Sequence, residues 1–218
     1  MPRVKKSLVC PLVGAGVGGK WMFWSMYHLL DGPKRFSELR RLLPQATRQT
    51  LVSQLRELER TGAVRRNVSG HVPPKVEYSL TQLGSECEPI LRQLHDWGEW
   101  YSEQIGRDVD WLVSLGGRWK VWVIHCLFGG ARRFSDLREI LAPISGQVLT
   151  RELRELNELD LVCRLPATPA APRGAYALTH TGRSSEPMFR QLYAWGKWTS
   201  RQMGVAFDWP VDARPAWE

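Results

Sequence analysis

Cysteine is scarce in this chain, with Cys10, Cys87, Cys126 and Cys163 the only four among 218 residues. None stands in a C-x-x-C pair or at a Cys/His spacing that could hold zinc, and four in this length do not make a secreted disulfide framework. A reducing cytoplasmic setting is therefore expected. No stretch reaches about eighteen uninterrupted apolar residues, so no membrane span is expected. G-x-S-x-G, a phosphate-binding loop, a dinucleotide-binding glycine pattern and H-E-x-x-H are all absent. The five histidines, His28, His71, His95, His125 and His180, are scattered. Neither an enzyme nor a metal or cofactor is expected. The opening "MPRVKKSLVCPLVGAGVGGKW" has the basic-then-apolar order of a signal peptide. Its apolar part is short and broken by glycine, and its end recurs inside the chain, so it is read as part of a folded unit.

What is present is an ordinary globular balance, 43% hydrophobic and 24% charged, with an excess of base: 30 Lys and Arg against 22 Asp and Glu, a formal charge of +8. Such a charge favours a polyanionic partner, although it also serves solubility.

The main organising fact is a repeat without gaps at an offset of 98 residues. Gly18-Gly19-Lys20-Trp21 returns as Gly116-Gly117-Arg118-Trp119, and Arg35-Phe36-Ser37-Glu38-Leu39-Arg40 as Arg133-Phe134-Ser135-Asp136-Leu137-Arg138. Leu55-Arg56-Glu57-Leu58 returns as Leu153-Arg154-Glu155-Leu156, and Trp97-Gly98-Glu99-Trp100 as Trp195-Gly196-Lys197-Trp198. Between 18–106 and 116–204, 36 of 89 positions are identical, which marks a duplication. Units of this length are too long for a solenoid and suit two small domains, expected at 1–106 and 107–218. Ten of the eleven tryptophans pair up at the same offset, as duplicated core and helix-packing residues would.

Within the first unit, "GGKWMFWSMYHLL" suits a mostly buried helix stopped by Asp31-Gly32-Pro33, with Trp21, Trp24, Met26 and Leu29 on its apolar side. A short second helix follows over "RFSELRRLLP", ended by Pro44. Thr47 is a good N-cap for a third helix that runs to Thr61-Gly62, with Leu51, Leu55 and Leu58 on one stripe. At 100° per residue its opposite face carries Gln49, Ser53, Arg56 and Arg60. "AVRRNV" and "KVEYSLT" alternate as strands joined by "SGHVPP", predicting a two-stranded ribbon. One long helix is expected to close the unit over "LGSECEPILRQLHDWGEWYSEQIG". The fold class is therefore mainly α with small β-wings, two tandem winged helix-turn-helix domains. In that arrangement the third helix can enter a DNA major groove while the ribbon reaches phosphates or the minor groove.

"GGKW", "DGPKRFSELRRLLP", "TLVSQLRELERTGAV" and "VPPKVEYSLTQLG" followed by the "WGEW" helix closely resemble the HxlR family of bacterial winged-helix transcriptional regulators (MarR-like). The resemblance covers essentially all of 10–106. Residues 116–204 keep "GGRW", "RRFSDLREIL", "LTRELREL" and "YALTHTG" but depart at the ribbon, so the fold carries over better than the DNA contacts. Family members are typically single-domain homodimers that pair through terminal helices. The resemblance thus implies that this chain is such a dimer fused head to tail, an intramolecular pseudo-dimer that either stays monomeric or pairs again as a homodimer. It also implies a thiol sensor at Cys10, whose counterpart in the second unit is Asp108. The other reading of Cys10 is a small packing residue, since no local feature lowers its pKa.

Double-stranded DNA is the expected partner, contacted by Arg48, Gln49, Ser53, Arg56 and Arg60 on the third helix and by Arg65, Arg66, His71 and Lys75 on the ribbon. In the second unit the counterparts are Gln147, Arg151, Arg154 and Arg173. The two third helices differ in charge: 47–62 sums to +1 and 145–160 to −2. An asymmetric or imperfectly palindromic operator, read mainly by the first unit, is expected. The alternative is a module that binds a small aromatic effector in an inter-domain pocket of Trp97, Trp100, Trp195 and Trp198, with Tyr101, Tyr193 and His95 nearby. Ordinary helix packing is the competing explanation of those rings.

Overall fold

Leucines at positions 51, 55 and 58 can share one side of a helix only if its ends hold the register, and both ends are built for that. In the computed structural model, which describes residues 19–70, 75–106, 119–168 and 174–203, Thr47 Oγ1 accepts the backbone N–H of Thr50 at 3.1 Å. At the other end Gly62 takes φ +77° and the Ala63 N–H returns to Leu58 O at 3.0 Å. The helix between them buries all three leucines almost completely.

The first repeat orders as α1 (Gly19–Leu29), β1 (Lys34–Arg35), α2 (Phe36–Leu42), α3 (Arg48–Arg60), β2 (Val64–Val68), β3 (Val76–Leu80), α4 (Gln82–Ser85) and α5 (Glu88–Ile105). The second orders as α6 (Lys120–Phe128), α7 (Phe134–Ile140), α8 (Gly146–Glu158), β4 (Val162–Leu165), β5 (Ala175–Leu178), α9 (His180–Ser184) and α10 (Glu186–Met203). Each carries three helices, an antiparallel ribbon and a long closing helix, the winged helix-turn-helix order.

Two sequence expectations need correction. The ribbon of the first repeat gains a third strand, because β1 pairs with β3, Lys34 opposite Tyr78 and Arg35 opposite Glu77. Arg35 is the residue before α2 and already has the extended backbone of an N-cap position, so it can lie along the sheet edge. The second repeat has a single bridge there, Arg132 to Tyr176. The expected single closing helix is broken into α4 and α5 in both repeats. Thr81 Oγ1 caps α4 by accepting from Gly84 N at 3.2 Å, and Pro89 falls in the first turn of α5, where its missing N–H costs nothing. In α1 the buried residues are Met22, Phe23, Ser25, Met26 and Leu29, while Trp21 and Trp24 are half-buried.

The chain divides into two compact units. Of the described residues, those up to Asp96 and those from Ala194 onward fall in one, and those from Trp97 to Tyr193 in the other. In the first, α1 lies against α3 and β3. In the second, every residue of α6 is buried, and α6 lies against α8 and β5. The second unit also includes the later part of α5, whose Trp97 Nε1 donates to Ser184 Oγ at 2.9 Å and whose Tyr101 hydroxyl donates to Leu159 O at 2.7 Å. No helix among the described residues is long and apolar enough to cross a membrane.

Candidate nucleic-acid interface

The outer side of α3 follows from its inner side: with Leu51, Leu55 and Leu58 buried, Arg48, Gln49, Ser53 and Arg56 all emerge exposed. Together with Val52 they line one surface depression of about 570 Å³. Neither Arg48 nor Arg56 makes an ion pair among the described residues. Arg60, one turn on, is different. Its guanidinium donates twice to Glu57, at 2.8 and 2.5 Å, which raises its own pKa and holds the Glu57 carboxyl below the usual range.

Arg65 and Arg66 are both exposed on β2, and as neighbours on a strand they serve opposite faces of the ribbon. Lys75 is exposed at the far end, where its backbone N–H donates to Ser69 Oγ at 3.1 Å. The expectations for His71, Arg173 and Cys10 lie outside the described residues.

The equivalent helix α8 repeats the backbone and changes the electrostatics. Ser145 caps it through Val148 N at 3.2 Å, and Leu149, Leu153 and Leu156 are buried. Its end copies the Gly62 geometry with a residue that tolerates it less well: Asp160 has φ +53° and its carboxylate accepts from Thr181 Oγ1 at 2.9 Å. Gln147 is exposed. Arg151 is also exposed but is paired with Glu152 at 3.0 Å and Glu155 at 3.8 Å, and Arg154 lies 3.6 Å from Glu158.

Glu152, one of the four acidic residues that make 145–160 negative, has a side chain only 6% exposed that faces Lys120 at 3.7 Å. That is an ion-pair distance too long for a hydrogen bond. Lys120, itself buried, donates instead to Glu155 at 2.7 Å, which holds the Glu155 carboxyl low. In the first repeat the same two sites are Met22 and Gln54. The signal was legible as two opposite charges appearing together at aligned positions, but nothing in helical periodicity said that they meet.

The tryptophans proposed for a ligand pocket do not share a unit: Trp97 and Trp100 belong to one, Trp195 and Trp198 to the other. Trp97 and Trp195 are buried, Trp100 is half-buried and Trp198 is exposed. The face of Trp97 is covered by Tyr101, stacked at 5.1 Å, and its N–H is spent on Ser184, as ordinary packing requires. His95 stacks on Tyr27 at 4.6 Å and meets Trp24 edge-on, a second packing cluster.

Two exposed, capped third helices, each beside an antiparallel ribbon, are the parts that decide the family. The model of the HxlR-like helix-turn-helix family matches residues 16–106 and again 114–203. The chain belongs to that family. Similar proteins include YdeP of Bacillus subtilis (strain 168), an uncharacterized HTH-type transcriptional regulator, 52% identical over 42% of this chain and 71% of its own. YkvN of the same organism, also an uncharacterized HTH-type transcriptional regulator, is 51% identical over 40% and 75%. Among solved structures, the redox regulator HypR in its oxidized form is 54% identical over 38% of this chain and 87% of its own, with a TM-score of 0.37. The chain is a DNA-binding transcriptional regulator of the helix-turn-helix type, with the family's domain present twice.

Proposed function

We propose that this regulator reads an asymmetric or imperfectly palindromic operator in double-stranded DNA, mainly through the first repeat, with the second as its built-in partner. One observation carries this reading. Of the arginines on the outer side of α3, Arg48 and Arg56 are uncommitted among the described residues and Arg60 is held by Glu57, whereas Arg151 and Arg154 on α8 are each held by a carboxylate of their own helix. An arginine reads a guanine by aiming two parallel N–H donors at O6 and N7, so one whose guanidinium is already oriented onto a glutamate has to reorient first. The ribbons support the same division, since the exposed Arg65 of β2 is replaced by half-buried Cys163 in β4.

The test is fluorescence anisotropy at fixed salt with duplexes from the region upstream of the protein's own gene, against random duplex. Arg56→Ala should weaken specific binding by roughly 1–3 kcal/mol if it reads a base edge, and Arg154→Ala should cost clearly less. Equal losses for the two variants would remove the asymmetry. No preference for upstream over random DNA would remove the operator.

A further inference from the structure

The second unit holds a pocket of about 600 Å³ between the start of α7, the side of α8 and the ribbon. Arg133, Arg138 and Arg164 contribute three guanidinium groups, Phe134 and Tyr176 two rings, and Thr150 a hydroxyl. No carboxylate is among its described lining residues. Its volume is that of a small-molecule or nucleotide-sized site and exceeds what a bare inorganic anion needs.

The internal repeat supplies a control for how this pocket is made. The frame is old: Arg35, Phe36, Arg40, Arg66 and Tyr78 occupy the corresponding places in the first repeat. Two differences open the later copy and remove a negative charge, and a third changes the chemistry of its wall. Glu77, whose carboxylate lies 3.5 Å from Arg35, has Ala175 as its counterpart, so that negative charge is absent from the second unit. Val76 has the counterpart Gly174, which takes φ +77° and where a Cβ would lie 2.6 Å from Leu165 O, so no side chain can fill the space. Val52 has the counterpart Thr150, whose hydroxyl donates to Gly146 O at 2.8 Å and leaves only its oxygen lone pairs to the wall.

We infer that this pocket seats a phosphate ester, with the three arginines taking the charged oxygens and Phe134 and Tyr176 packing the organic part. Guanidinium groups match phosphate oxygens in pairs, and aromatic faces accept a flat organic body. The same chemistry is presented by a free phosphorylated small molecule and by the DNA backbone. If the backbone is the source, the inference rests on the reading proposed above and gives the second repeat a phosphate-holding role that α8 does not supply.

The test uses the full chain and two substitutions, Ala175→Glu, which restores the charge present in the first repeat, and Arg138→Gln on the exposed side of α7. Circular dichroism confirms the fold of each. Calorimetry with phenyl phosphate measures the free-ligand arm: binding to the native chain, weakened about tenfold or more by either substitution, identifies a small-molecule seat. Anisotropy with duplex DNA measures the other arm: affinity lowered to a similar degree for all sequences, with a log K against log salt slope shallower by about one, identifies a backbone seat. If both substitutions leave phenyl phosphate binding undetected or unchanged and the DNA salt slope unaltered, the inference is overturned. That result is separable from failure of the operator reading, which is decided by Arg56→Ala against Arg154→Ala.

Discussion

Replacing Lys120 by Met and Glu152 by Gln, singly and together, tests whether the charges under α8 are a coupled substitution within the repeat. The side chains are 10% and 6% exposed, 3.7 Å apart, and the first repeat holds Met22 and Gln54 at the same sites. At an effective dielectric constant of about 20 that separation gives roughly 4 kcal/mol of attraction, offset by a desolvation cost of several kcal/mol per ion. The pair as a whole is therefore worth little against an uncharged replacement, while breaking it is costly. Lys120→Met leaves Glu152 buried with only the more exposed Arg151 as a counter-charge, so a loss of about 2–3 kcal/mol is expected. Glu152→Gln leaves Lys120 bonded to Glu155 at 2.7 Å, and about 1 kcal/mol is expected. The double variant should return to within about 1 kcal/mol of the native chain.

Urea unfolding followed by circular dichroism and tryptophan fluorescence reads these differences, and additive losses in the double variant would refute the reasoning. The pH dependence supplies a second check. Lys120 holds the Glu155 carboxyl below its ordinary value of 4.5. A depressed carboxyl contributes stability that is present above its unfolded pKa and lost as pH falls through the folded one. The deficit of Lys120→Met should therefore be full at neutral pH and shrink below about pH 4.5.

Four further outcomes follow from particular contacts. Glu57→Gln should free Arg60, tighten DNA binding a few-fold and steepen its salt dependence by about one in the log–log slope, read by anisotropy over a salt series. Arg154→Ala should change that slope less than Arg56→Ala, because its charge is already met by Glu158. Gly84→Ala and Gly182→Ala would each place a Cβ 2.0 Å from a backbone oxygen, of Ala63 and Leu161 respectively. Each should lower stability by more than about 3 kcal/mol in thermal or urea unfolding. Burial pushes the Cys126 thiol up to about 12 from 9.0; its alkylation at pH 8 should be slower than in the urea-unfolded chain by about a thousandfold, from the thiolate fraction alone.

Much of this molecule could be read before any coordinates. The duplication shows as a match at an offset of 98 residues, and the three helices, the ribbons and the orientation of α3 follow from short-range rules: an N-cap threonine, a glycine after the last turn, leucines spaced to share one side. These rules act within a few residues, so the sequence displays them directly. Because α3 is amphipathic, knowing that Leu51, Leu55 and Leu58 face inward is enough to place Gln49, Ser53 and Arg56 outside.

What the tertiary structure decided is which charges meet. Periodicity cannot tell that Glu152 turns in toward Lys120, some thirty residues away, or that Arg60 folds back on Glu57 while Arg56 does not, since rotamer and neighbour settle both. Strand β1 was hidden for a related reason: two residues carry no alternation, and only β3 beside them makes them a strand. The pocket under Arg133, Arg138 and Arg164 likewise depends on residues from a helix start and two strands. It is opened where Glu77 and Val76 of the first repeat give way to Ala175 and Gly174 in the second.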